Sequence, residues 1–177
     1  CEVITTDSLA IKYEILKVTN CEPKKIKVLY APVCEIYKPS IKIFNPKKIR
    51  ILHIGSTENK NLENHIEALK NINISFELAI ICSDPENVRN FLKSVNFKYL
   101  IFSKLSLKDV YQQYKLCDIL LFSSLYEGFG LPILEAQAVG RPVVTSNYGS
   151  MKEISNGAAC LVNPKDPSSI YAGLEKI

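Results

Sequence analysis

From residue 49 onward, short apolar runs alternate with amphipathic stretches, and this rhythm restricts the chain more than any other feature. Runs of strand length lie at 50–54, 76–82, 98–102, 118–122, 142–145 and 159–162. Helical periodicity fills the gaps at 62–71, 85–95, 107–115 and 131–139, with a short helix at 150–155 and a last one opened by Pro167. Runs such as LAIIC and DILLFSS are apolar almost throughout. A strand needs that pattern when helices cover it on both faces, as in a parallel sheet. Strict β–α alternation therefore predicts an α/β fold, a Rossmann-like doubly wound parallel sheet. Sheets of this kind bind ligands beyond the carboxyl ends of their strands. The loops to search are those after Ile54, Cys82, Phe102, Phe122 and Thr145.

Before residue 49 the rhythm is less regular. A strand over 3–5, a helix capped by Asp7 or Ser8 and running to Val18, and a strand over 26–30 are expected. The stretch 31–48 contains Pro32, Pro39 and Pro46 and has little periodicity, so it reads as a connection, with the linker proper at 35–48. The sequence begins with Cys1 rather than Met and closes on SSIYAGLEKI, inside an expected helix. A piece of a longer protein is the expectation.

Nearly half of the 177 residues are apolar, ample for a core, and the formal charge is +4. That charge suits an anionic ligand or a loose contact with acidic lipid at a membrane surface, and gives no argument for nucleic acid. The six cysteines form no CxxC pair, and only two histidines could help them, which argues against a zinc site and for a reduced, cytoplasmic chain. No apolar run approaches the roughly 20 residues that span a bilayer.

The loop after Phe122, SSLYEGFGLPILEAQAVGRP, has the most chemistry in it. Gly128 and Gly130 flank Phe129 and let backbone approach a ligand closely. Pro132 suits the first turn of a helix, so N–H groups near Gly130 and Leu131 face outward at its positive end. Glu135 falls inside an apolar helical run, where a carboxylate is costly unless paired, and the hydroxyls of a ribose could pair with it. Glu127 precedes it on the loop. On the residues alone, an ordinary alternative stands equally: Glu127 caps the helix and Glu135 makes a local ion pair. The loop after Ile54 offers Gly55, Ser56, Asn61 as a helix cap, and Lys60, whose ammonium can meet a diphosphate as a point charge.

Other residues read as structural. His53 and His65 are each expected to have neither a cysteine nor a close histidine partner, and Cys34, Ser123 and Ser124 lack the arrangement of a nucleophilic triad. GxGxxG is absent, because GFGLPI breaks after its second glycine, which weighs against an ordinary NAD site.

These residues, taken together, resemble the C-terminal domain of retaining GT-B glycosyltransferases of the large family-four group. The match rests on Glu127-Gly128-Phe129-Gly130-Leu131-Pro132 through Glu135-Ala136, with seven residues between the glutamates, and on Gly140-Arg141-Pro142-Val143-Val144. IGSTENKNLENHIEALK, DVYQQYKLCDILLFSSLYEGFG and GSMKEISNGAACLVNPKDP are similar to the family's phosphate loop, its approach to the signature and its sequel. The resemblance covers about residues 26–177, and the opening looks like the end of the family's first domain. It implies one half of a GT-B fold: residues 1–34 a remnant of the acceptor domain, 35–48 the linker, 49–177 the donor domain.

The resemblance also assigns roles. Glu127 would contact the donor sugar and Glu135 the ribose; Gly128 and the backbone N–H groups of Phe129, Gly130 and Leu131 would hold sugar and phosphate oxygens. Lys60 would neutralise the departing diphosphate, beside Gly55 and Ser56. Ser103, Lys104 and Leu105, with Ser83, would border the base. The implied donor is a UDP- or GDP-linked sugar, with no cofactor or metal required, and the acceptor is a glycan or lipid-linked molecule held by the first domain. Many relatives have an arginine where Ser56 stands, so Arg141 is considered as a substitute cation. An inactive Rossmann-type nucleotide- or partner-binding module, and a sugar-phosphate epimerase, are the alternatives.

Overall fold

In the computed structural model the described residues are 2–177, with Ser94 described by its backbone alone; Cys1 and anything expected of it lie outside them. Six parallel strands, β3 (Ile49–Ile54), β4 (Phe76–Ile81), β5 (Lys98–Phe102), β6 (Ile119–Phe122), β7 (Val143–Ser146) and β8 (Cys160–Val162), form one sheet. Between them run α2 (Leu62–Leu69), α3 (Pro85–Phe91), α4 (Leu107–Leu116), α5 (Leu131–Val139) and α6 (Gly149–Ser155), with α7 (Pro167–Leu174) after the last strand. The order is β5-β4-β3-β6-β7-β8, so the winding reverses between β3 and β6. That reversal opens a crevice at the carboxyl ends of these two strands.

The apolar strands explain the double winding. Side chains alternate across a strand. Ile51, Leu78, Ile80, Ile119 and Leu121 pack on one face against Ile66 and Leu69 of α2, Val88 of α3, and Ile170 and Leu174 of α7. Leu52, Ala79, Leu120 and Phe122 pack on the other against Tyr114 of α4 and Ile133, Ala136 and Val139 of α5. All four residues of β6 and all four of β7 are buried, which only a sheet covered on both sides allows.

Several boundaries differ from the periodicity. The helix expected to reach residue 95 leaves α geometry after Phe91 and tightens into a 3₁₀ turn, Leu92–Ser94. Helix α2 ends at Leu69, before Asn71, and the final helix ends at Leu174 and not at the last residue.

The first residues make a smaller unit: β1 (Ile4–Thr6), α1 (Leu9–Val18) and β2 (Ile26–Val28), with β1 and β2 parallel. Ser8, not Asp7, caps α1 by accepting from the Ile11 N–H. This unit lies over the carboxyl end of the large sheet. Glu153 of α6 accepts from the N–H groups of Leu9 (2.9 Å) and Ala10 (3.0 Å), where the helix dipole favours an anion. Residues 35–48 have no helix or strand, yet they are packed. Tyr37 is buried edge-on against Tyr111 and Tyr114, Ser40 N–H donates to the Val139 carbonyl, and Lys42 pairs with Asp118.

Candidate functional site

The loops after β3 and β6 meet at the crevice. Gly55 ends β3 with φ +105°, a backbone that glycine adopts without strain. The Lys60 stem lies on it: a Cβ at position 55 would stand 2.4 Å from Lys60 Cγ. The ammonium then passes over the Phe122 ring, 5.0 Å from its centroid, and reaches Glu127 Oε1 at 2.6 Å. Both side chains are mostly enclosed, 21% and 14% exposed. Glu127 is therefore an ion-pair partner and not a cap: α5 starts from Gly130, at φ +106°, with no side-chain cap.

The loop after β6 is held by its carbonyls. Seven in succession accept from side chains: Phe122 from Thr145, Ser123 from Asn61, Ser124 from Ser146, Leu125 from Tyr148, Tyr126 from Asn59, Glu127 from Ser150, and Gly128 from Ser8. Each of these carbonyls gains a partner without a second strand. The arrangement turns the loop's donors the other way. Among the described residues, no protein acceptor meets the N–H groups of Phe129, Gly130 and Leu131 at the head of α5. A free helix N-terminus beside a lysine suits an anion. Phe129 itself is buried against Tyr30, and Gly128 lies beside Asp7, so the small N-terminal unit borders the site.

Glu135 sits one turn into α5. Its Oε2 accepts from Tyr114 OH at 2.6 Å, and among the described residues no cation pairs with it. Burial first, and the Glu135 charge second, push the Tyr114 phenol well above its ordinary range, so it stays a donor. Burial and the same carboxylate raise Tyr37 likewise. Tyr114 thus answers Oε2 of Glu135, and the Tyr37 phenol stands close enough to bond the same carboxylate.

Some expectations need correction. Asn61 does not cap α2 with its side chain. It is left-handed (φ 63°), and its amide donates to the carbonyls of Ser123 (2.9 Å) and Pro164 (2.7 Å), stitching three loops together. Arg141 is no substitute cation. It precedes β7, at the opposite end of the sheet, where its guanidinium donates to the carbonyls of Tyr114, Lys115 and Gly140 and closes α4. His53 and His65 do have histidine partners, namely each other: their Nδ1 atoms are 2.9 Å apart. His65 Nε2 is 2.7 Å from Ser123 Oγ, but all three residues are fully buried, so Ser123 is no accessible nucleophile.

Lys60, Gly55, Glu127 and Gly128 through Leu131 are brought together. Half-buried Ser56 lies one residue beyond Gly55, facing Leu62 and Asn87. Ser103, Lys104 and Leu105 follow β5, beyond β4, at the same end of the sheet, Lys104 being left-handed (φ 53°); among the described residues no hydrogen bond joins them to Glu127 or Glu135. Sequence reasoning missed Tyr114, the histidine pair and the carbonyl-holding Ser, Thr, Asn and Tyr side chains. The one signal was the density of Ser and Asn after the strands.

The chain matches known proteins over its whole length. The family described as glycosyl transferases group 1 matches residues 48–177. The O-antigen chain mannosyltransferase RfbU of Salmonella typhimurium is 27% identical over 183 residues, covering all of this chain and 51% of RfbU. A glycosyltransferase structure from Rickettsia africae superposes with a TM-score of 0.85 at 21% identity, covering 99% of this chain and 52% of that one. Anabaena HepE, solved in complex with UDP-glucose, gives 0.77 at 18% identity, covering 99% and 54%. The chain spans about half the length of the curated relatives it matches. Six parallel strands wound in this order, and a family match over residues 48–177, together place this chain in the glycosyl transferases group 1 family, with the architecture of one half of a GT-B fold.

Proposed function

We propose that this chain is the donor-binding half of an enzyme that moves a hexosyl unit from a nucleoside-diphosphate sugar to a glycan or lipid-linked acceptor, with retention at the anomeric carbon. The observation behind this reading is the Lys60–Glu127 pair beside unanswered N–H groups at the head of α5. A diphosphate carries negative charge that grows as the bond to the sugar breaks. Lys60 and the α5 dipole would stabilise that charge without a metal ion, and such preorganised donors are often the largest catalytic contribution. Glu127, one side chain away, would take sugar hydroxyls, and Glu135 would take the ribose. A mannosyl unit is favoured among hexoses because RfbU is a mannosyltransferase, and a UDP-linked donor has the precedent of HepE. The acceptor site belongs to residues outside this chain, so the 177 residues alone would bind donor and transfer little.

Isothermal titration of the chain with UDP, GDP, UDP-glucose and GDP-mannose, alongside Glu135→Ala, tests this. Wild type is expected to bind one nucleotide series and Glu135→Ala to lose most of that affinity. A folded wild type that binds none of the four refutes the reading.

A further inference from the structure

The two loops that carry Lys60 and Glu127 are joined beneath the crevice by three buried side chains outside the donor chemistry just described. His53 is the fifth residue of β3, His65 lies on α2, and Ser123 directly follows β6. Contacts run without a break: Gly55 carbonyl to His53 Nε2 at 2.8 Å, His53 Nδ1 to His65 Nδ1 at 2.9 Å, His65 Nε2 to Ser123 Oγ at 2.7 Å. All three residues are fully buried.

With both rings neutral, one placement of protons satisfies all three contacts, while the carbonyls of Leu121 and Ser123 lie near His53 and His65 respectively. The Gly55 carbonyl can only accept, so His53 Nε2 carries the hydrogen and His53 Nδ1 is bare. His65 Nδ1 must then donate to it, which leaves His65 Nε2 bare and obliges Ser123 Oγ to donate. An added proton could run the chain in reverse, but burial opposes charge on either ring, and the nearby Lys60 ammonium opposes it further at His53. The polarity therefore runs one way, from Ser123 to Gly55.

Each end of the chain holds a piece of the site. At one end is the Gly55 peptide, on which the Lys60 stem rests. At the other is Ser123, four residues before Glu127. We propose that His53, His65 and Ser123 are positioning residues: a directed hydrogen-bond chain that sets the separation of the Lys60 and Glu127 loops, and so the place of the ammonium at a bound diphosphate. This rests on the donor-site reading above. None of the three would touch the donor. Their part is to hold Gly55 and the start of the Glu127 loop at one spacing while a highly charged ligand enters and leaves.

Two measurements on the full 177-residue chain test it. The first is the imidazole nitrogen spectrum of nitrogen-15-labelled protein at neutral pH, which reports tautomers directly. Opposite tautomers are expected, Nε2–H on His53 and Nδ1–H on His65; the same tautomer on both, or a charged ring, overturns the proposal. The second is titration of wild type, Ser123→Ala and Ser123→Thr with UDP and GDP, each checked for cooperative unfolding. Ser123→Ala removes only the terminal donor, and is expected to weaken nucleotide binding about tenfold while folding, an effect of the size a small misplacement of binding groups produces. Ser123→Thr keeps the hydroxyl and is expected to restore most of that loss. A merely structural role lowers the melting temperature of Ser123→Ala and leaves its nucleotide affinity at the wild-type value, and that result refutes positioning. Wild type that binds neither nucleotide refutes the donor-site reading and the positioning role with it, an outcome distinct from equal binding by wild type and Ser123→Ala.

Discussion

Replacing Glu127 by glutamine should separate binding from catalysis, because the two draw on the same lysine. Without a ligand, Lys60 Nζ sits 2.6 Å from Glu127 Oε1 in a pocket that leaves their side chains 21% and 14% exposed. Two unit charges 4 Å apart attract by about 1 kcal/mol in water and about 4 kcal/mol at a protein surface of intermediate dielectric. Part of that gain is offset by desolvation, so a net coupling of about 1–2 kcal/mol is reasonable for a pair this enclosed. A diphosphate entering the site must draw Lys60 away from Glu127 and must also approach the Glu127 carboxylate. Glu127→Gln removes both costs while keeping the shape. UDP or GDP is therefore expected to bind Glu127→Gln about five- to tenfold more tightly, about 1 kcal/mol. Lys60→Met should weaken the same nucleotide by a similar or larger factor.

The assay is titration calorimetry on wild type, both single variants and the double variant, with urea unfolding of each to complete the cycle. The coupling in stability should fall near 1–2 kcal/mol, and the affinity gain of Glu127→Gln should shrink in high salt. In an enzyme that joins this chain to the acceptor domain proposed above, the same variant should transfer sugar poorly despite tighter nucleotide binding. Equal loss of nucleotide affinity in Glu127→Gln and Lys60→Met would refute the reasoning, since it would mean that Glu127 assists the diphosphate and does not compete for the lysine.

Other outcomes follow from single contacts. Tyr114→Phe deletes the donor to Glu135 Oε2 and should weaken nucleotide binding several-fold, about 1 kcal/mol, with calorimetry as the check. Arg141→Ala strips two carbonyl contacts from the end of α4 and one from Gly140 at the end of α5, so it should cost about 2–3 kcal/mol in urea unfolding and leave nucleotide affinity unchanged. Stability should also fall in mild acid. Burial holds His53 near pKa 4 against 6.5 when free and depresses His65 in the same sense, so below pH 6.5 the unfolded chain binds protons that the folded chain refuses. Stability is lost progressively from pH 6.5 toward 4, about 2 kcal/mol by pH 5 from His53 alone, and urea titrations at pH 7 and 5 measure it.

Much of the fold was legible in residue order because both of its signals are local. The period of apolar residues separates strand from helix over a few positions. LAIIC and DILLFSS declare double coverage in the sequence alone. The glycine loop, Pro132 and the two glutamates could be read for the same reason, since each acts within a turn or two of its neighbours. Helix ends were less legible. The turn after Phe91 and the early end of α2 at Leu69 depend on which residues find partners outside the helix, and periodicity carries none of that.

By itself, then, the sequence determined the class of fold, the end of the sheet to search, and the identities of Lys60, Glu127 and Glu135 as residues of interest. The tertiary structure alone decided their relations. Lys60 and Glu127 are 67 positions apart and meet only because the winding reverses between β3 and β6. Arg141 looked available as a cation until the sheet placed it at the wrong end. His53 and His65 looked unrelated until a strand and a helix set their rings face to edge. A hydrogen bond or ion pair is sensitive to tenths of an ångström, and such distances are set by the packing of elements remote in sequence, which no local pattern records.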